Sequence, residues 1–162
     1  MKNMHRLTAL ALSSLLALSA QANSPVGRWH TIDDKTGETK SVVTIEEAGG
    51  VLRGKVSQIL RKGADPAAKC DKCADDRKDQ AILGMEIIRG VKKSSGNDYW
   101  DGGEILDPEE GKLYRVRLTP IEGGAKLQVR GFLGPFWRNQ LWVKAPLIDF
   151  HRCRPWGRPF HF

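Results

Sequence analysis

The sequence predicts an all-β protein, a small antiparallel up-and-down β-barrel, on three observations. Helical periodicity is nearly absent after residue 23, short runs of alternating apolar and polar residues recur, and the clusters between them have turn chemistry. Eight such runs with no helix to cover a sheet edge must close on themselves or fold over, because an open edge invites further pairing. A single barrel is the economical solution, and a β-sandwich is the alternative.

The candidate strands, in order, are VGRWHTI (26–32), SVVTIEE (41–47), VLRGKVSQIL (51–60), MEIIRGVKK (85–93), YWDGGEI (99–105), KLYRVRLTP (112–120), KLQVRGF (126–132) and NQLWVK (139–144). DDKTGE, EAGG, SSGND, DPEEG and EGG supply the turns between several of them. Tyr114, Val116 and Leu118 share one face while Arg115 and Arg117 share the other. Leu127, Val129 and Gly131 likewise oppose Lys126, Gln128 and Arg130, so one face is buried and the other wet. The interior is expected to hold Val43, Ile45, Leu52, Val56, Val116, Leu118, Leu127 and Val129. Residues 61–81 break the rhythm: the segment is too long and polar for a hairpin turn, has room for a helical turn, and carries Cys70 and Cys73.

Residues 1–22 read as a secretory signal peptide: Lys2 and Arg6, then the apolar LTALALSSLLALSA, then Ala20-Gln21-Ala22 as an A-x-A cleavage site. The apolar stretch is short for a membrane span, and no later run approaches spanning length. A periplasmic or secreted location follows as an expectation. The signal takes two of the 26 basic residues and none of the 19 acidic ones, so 24 against 19 leaves +5 over 140 residues. That suits one domain, 23–145, with a real core and a mild preference for anionic surfaces. No nucleic-acid motif is present, and none is expected in an exported protein. Residues 146–162 read as a C-terminal extension, either disordered or packed across a barrel mouth, since their three prolines and mixed aromatics suit neither a strand nor a long helix.

The motifs SPVGRW, KCDKCADDRKDQAILGM, YWDGGEILDPEEGKLYRVRL and LQVRGFLG, in that order, resemble the exported bacterial family known as domain of unknown function 2147. The resemblance covers about residues 24–144. It implies a lipocalin-like or calycin-like barrel and no assigned reaction, and by fold analogy alone it suggests carriage of a small apolar ligand. Gly27-Arg28-Trp29 also resembles the G-x-W element of lipocalins, whose indole closes one barrel end beneath a basic residue of the last strand. Lys144 or Arg138 would be that cation, and Gly27 and Trp29 would be structural.

Three readings compete for Cys70-Asp-Lys-Cys73. A thioredoxin-like redox centre needs a helix N-terminus beside a βαβ unit, which nothing here predicts. Zinc would need Cys70 and Cys73 with His151 and Cys153, a set that requires the tail to fold back onto the loop. The remaining reading, a Cys70–Cys73 disulfide pinning the loop, ranks first in an exported protein. Closing so small a ring contributes at most about 2 kcal/mol, against about 4 kcal/mol for a bridge to Cys153, and geometry decides between them.

No nucleophile, metalloprotease, P-loop or dinucleotide signature is present, and no cofactor is implied. His30, beside Trp29, reads as structural. Asp101 and Glu104 flank Gly102-Gly103 and project to opposite faces of a regular strand, so they act as a pair only across a bulge. Arg115, Arg117, Lys126 and Arg130 form an outer positive face that is either simply solvated or docks to an anionic envelope surface. The sequence therefore points to a non-catalytic exported barrel that binds a small apolar or amphipathic ligand or an envelope component. The alternative is an envelope metal-binding or thiol-redox protein using Cys70 and Cys73.

Overall fold

A computed structural model describes residues 23–146. Eight antiparallel strands follow the chain round a closed barrel. They are β1 (Gly27–Ile32), β2 (Thr39–Ala48), β3 (Val51–Ile59), β4 (Glu86–Lys93), β5 (Trp100–Asp107), β6 (Lys112–Ile121), β7 (Lys126–Leu133) and β8 (Phe136–Lys144). The barrel is the predicted one, and the sandwich is not formed. The strands match the alternating runs to within a residue or two, except β8, which begins at Phe136 rather than Asn139. Gly134-Pro135 turns the chain in two residues, so the ladder continues out to Leu133 opposite Phe136.

β8 closes on β1 through two register pairs, Trp29 opposite Lys144 and His30 opposite Val143. An Ala145 N–H to Arg28 carbonyl bond of 2.9 Å extends this seam. Trp29 is wholly buried there. Its Nε1 donates to the Pro25 carbonyl at 2.7 Å, and Lys144 Nζ stands 4.4 Å from the ring centroid. Of the two cations weighed from the sequence, Lys144 takes this place, while Arg138 pairs with Asp34. Gly27 makes room for it: at φ +136°, a Cβ would stand 2.5 Å from the Lys144 ammonium.

In an up-and-down barrel, alternate connections lie at the same end. The β1–β2, β3–β4, β5–β6 and β7–β8 connections therefore share one mouth, and the chain termini share the other end with Trp29. At the Trp29 end the interior is filled by Ile45, Leu52, Val91, Trp100, Leu118 and Leu127, all buried. All eight residues expected inside are buried. Only Val56 and Val129 among them face the upper half, where the side chains do not meet.

Residues 61–81 contain no α-helix; they are turns with one isolated bridge, Lys69 opposite Ala81. Proline and paired aspartates favour local side-chain to backbone bonds over helix, as Asp65 and Asp75 make here to the N–H groups two residues on. Truncating Trp29 to Ala empties the closed end, so urea unfolding of that variant is expected to show a loss of about 3–5 kcal/mol.

Candidate functional site

The upper half of the barrel is a cavity of about 330 Å³. Its walls are apolar, with Val56, Ile59, Ile87, Ile105 and Val129 from the strands and Trp142 toward the filled end. Polar groups interrupt them in a few places: the Thr31 and Ser41 hydroxyls, bonded to each other at 2.8 Å, and the Tyr114 and Gln140 side chains. Charged groups gather at the mouth: Lys40, Arg61, Asp107, Glu109 and Arg138.

Four of these five charges meet an opposite one, Arg138 through Asp34, while Asp107 accepts from the Glu109 and Glu110 backbone N–H groups. Glu109 meets Lys40 and Arg61 at 2.8 Å each, and Arg61 also reaches Asp33 at 3.4 Å. Partial burial pushes the Glu109 carboxyl up, but the Lys40 hydrogen bond and the two positive charges outweigh it and hold it below its ordinary value. The cavity thus has an oily wall beneath an ionic collar, the arrangement that small-molecule sites commonly combine.

The fourth wall is the long β3–β4 connection, which contributes Ala64, Asp65, Ala68 and Ile82. Its backbone folds on itself, with the Cys70 N–H donating to the Gln80 carbonyl and the Ile82 N–H to Ala68, both at 2.9 Å. Cys70 and Cys73 are disulfide-bonded with their Cα atoms 5.4 Å apart, and both are buried. Lys72 Nζ donates to the Glu109 carbonyl at 2.9 Å, anchoring this segment to the β5–β6 turn. The contact is so close that a Cβ on Gly111, at φ +68°, would overlap the Lys72 carbonyl.

Arg77 fastens the other side. Buried in the strap, it binds both Asp75 carboxylate oxygens, donates to the Glu86 carbonyl at 3.1 Å and reaches Glu104 at 3.2 Å. Arg89 forks onto Asp76 with two 2.8 Å bonds. The strap is therefore riveted to β4 and β5 by arginines and clasped internally by sulfur. Hydrogen bonding from Arg77 holds Asp75 at about 2, well below its ordinary 3.8.

The residues singled out from sequence fall as follows. Bonded to each other, Cys70 and Cys73 are not available together as zinc ligands, and His151 and Cys153 lie outside the described residues. Among the described residues no cluster of three or more metal-ligating side chains forms. The expected bulge is real: Trp100 lies opposite Leu118 but Gly103 opposite Val116, so β5 carries one extra residue. That residue turns Asp101 and Glu104 to the same, outer face. There each meets its own arginine at 3.2 Å, Arg117 and Arg77 respectively, rather than facing the other across a cleft.

The outer positive face is smaller than the sequence suggested. Arg117 is paired with Asp101 and lies 4.0 Å from the Tyr99 ring centroid, and Lys126 pairs with Glu122 at 2.8 Å. Arg115 and Arg130 have no carboxylate partner among the described residues. Ile59, Ile82, Ile87, Ile105 and Tyr114 were not foreseen as cavity residues. For Ile82 the signal was present: an apolar island, AIL, closes an otherwise polar loop.

A closed eight-stranded barrel with one filled end, a strapped mouth and an oily hollow between them is a lipocalin-like barrel. The chain belongs to the DUF2147 family, described as uncharacterized proteins conserved in bacteria, whose family model matches residues 27–144. Among solved structures it is similar to protein HP1028 from the human pathogen Helicobacter pylori, described as belonging to the lipocalin family. That match has a TM-score of 0.63 at 18% identity, over 75% of this chain and 82% of the other, and it shows the fold alone. No curated protein matches the chain.

Because Asp75 is lowered in the fold, its contribution is complete above about 3.8 and is lost as pH falls toward about 2. The urea midpoint is expected to fall with pH through that window, and Asp75→Asn to flatten the slope without abolishing it, since Asp76 and Glu109 are lowered too.

Proposed function

We propose that this protein is an exported, non-catalytic carrier whose barrel holds the apolar part of a small amphipathic ligand, with its polar end at the mouth. One observation carries the reading: the same inward-facing strand positions that pack tightly around Trp29 leave about 330 Å³ unfilled above Val56 and Val129. Nothing in the fold requires that hollow, because a barrel of eight strands can fill itself with side chains. The volume lies within the roughly 300–1,000 Å³ typical of small-molecule sites. Beneath the collar, Ile59, Ile87 and Ile105 offer no partner to a polar group, and only the Thr31–Ser41 hydroxyl pair, Tyr114 and Gln140 do, so the buried part of the ligand is mainly hydrocarbon.

Displacement of an environment-sensitive fluorescent fatty acid tests this directly. Wild type is expected to bind the probe, and Ala68→Trp, which fills the hollow from the strap, to weaken it at least tenfold. A probe bound equally by both proteins would place binding elsewhere.

Export rests on residues 1–22 and is supported by the Cys70–Cys73 disulfide, which persists in oxidising compartments. Intact-mass measurement after expression in a bacterium is expected to give a chain beginning at Asn23. A mass retaining the first 22 residues would remove the periplasmic assignment.

A further inference from the structure

The β7–β8 hairpin ends at the mouth in Leu133-Gly134-Pro135-Phe136-Trp137. Phe136 is 75% exposed, Trp137 64% and Leu133 51%, an unusual concentration of bare apolar surface on two consecutive strand ends. Phe132 lies opposite Trp137, and Leu113, also exposed, sits on the neighbouring strand β6. The hairpin stands at the mouth end: Gly131 and Arg138, directly opposite each other below the tip, line the cavity.

Charge selects the occupant. Arg115 is the register partner of Phe132, and Arg130 that of Asn139, so both flank the aromatic cluster on the outer face. Arg130 is held by a 2.6 Å bond to the Asn139 amide oxygen, and neither arginine has a carboxylate partner among the described residues. The nearby acids are already engaged: Asp34 by Arg138, Glu109 by Lys40 and Arg61, Glu110 by Lys112. A second copy docked tip to tip would bring these uncompensated arginines together. A surface that pairs apolar depth with phosphate charge would satisfy both features. Trp beside Arg is the composition favoured at the boundary between lipid headgroups and acyl chains.

We propose that the β7–β8 tip is a membrane-docking element. Phe136, Trp137 and Leu133 enter the headgroup–acyl boundary of an anionic bilayer, Arg115 and Arg130 meet lipid phosphates, and the cavity mouth is set against the lipid. The docking stands on the hairpin itself; only its purpose, loading or unloading the hollow, rests on the carrier reading.

The test is co-sedimentation of the purified protein with vesicles of phosphatidylglycerol and phosphatidylethanolamine, beside pure phosphatidylcholine. Wild type is expected to pellet with the anionic vesicles, at least tenfold more strongly than with the zwitterionic ones. Phe136→Ser/Trp137→Ser is expected to lose at least tenfold of that binding, and Arg115→Glu/Arg130→Glu to lose the preference for anionic lipid. Both variants should keep the wild-type urea midpoint and fatty-acid probe affinity, because none of the four side chains lines the hollow. Wild type that stays in the supernatant, or variants that pellet as it does, would overturn docking. So would a dimer dispersed by the Ser substitutions without vesicle binding. Probe binding lost in wild type while vesicle binding persists would sink the carrier reading and leave docking intact.

Discussion

A sheet of eight strands has two raw edges, and here both are removed by a seam only two register pairs wide, Trp29 with Lys144 and His30 with Val143. So short a ladder contributes few hydrogen bonds, and each of those is worth only about 1 kcal/mol net. Closure therefore depends on what is packed against it. The Trp29 indole fills the end of the barrel, its N–H is satisfied by Pro25, and the Lys144 ammonium lies over its face. Gly27 admits that ammonium where any side chain would obstruct it. Four residues in this corner convert a curled sheet into a vessel, and every other feature, the hollow included, presupposes a wall without an edge.

The strap solves a different problem. A hollow in a small barrel tends to collapse or to flood, and the connection over it is long, polar and devoid of helix. Its order comes from cross-links of three kinds: a disulfide within it, the buried Arg77 fork, and the Lys72 contact beneath Gly111. The disulfide constrains only a four-residue ring, so its worth lies less in stability than in holding Ala68 and Ile82 against the cavity. Arg77 carries a heavier obligation. As a buried charge it is tolerable only while Asp75 and Glu104 accept its hydrogen bonds, which ties the strap electrostatically to the β5 bulge.

Much of this architecture was legible in the residues. The alternation of Tyr114, Val116 and Leu118 against Arg115 and Arg117 stated which face is wet, and Gly102-Gly103 announced the bulge. What alternation cannot carry is depth. Val56 and Leu52 have the same signature on the same strand, yet one faces the hollow and the other solid core, because the difference lies in what stands opposite across the barrel. Arg77 was hidden for a related reason: within ADDRKD it reads as one more solvated charge, and its burial depends on Glu86 and Glu104 arriving from other strands. The pairs Arg117–Asp101 and Lys126–Glu122 escaped notice likewise, so a basic face inferred from spacing alone was overdrawn.

The brevity of the seam has a consequence for how the barrel would open. Above His30 and Val143 no further register pair joins the two strands, and Arg138 and Gln140 reach Asp34 at the surface. Parting a backbone ladder is cooperative and slow, whereas parting an exposed ion pair costs about 0–1 kcal/mol. The upper part of the closure is therefore held by side chains rather than by a backbone ladder. Strain on the wall would open it first there, between β1 and β8 above Trp29, while the other strand pairs keep their longer ladders.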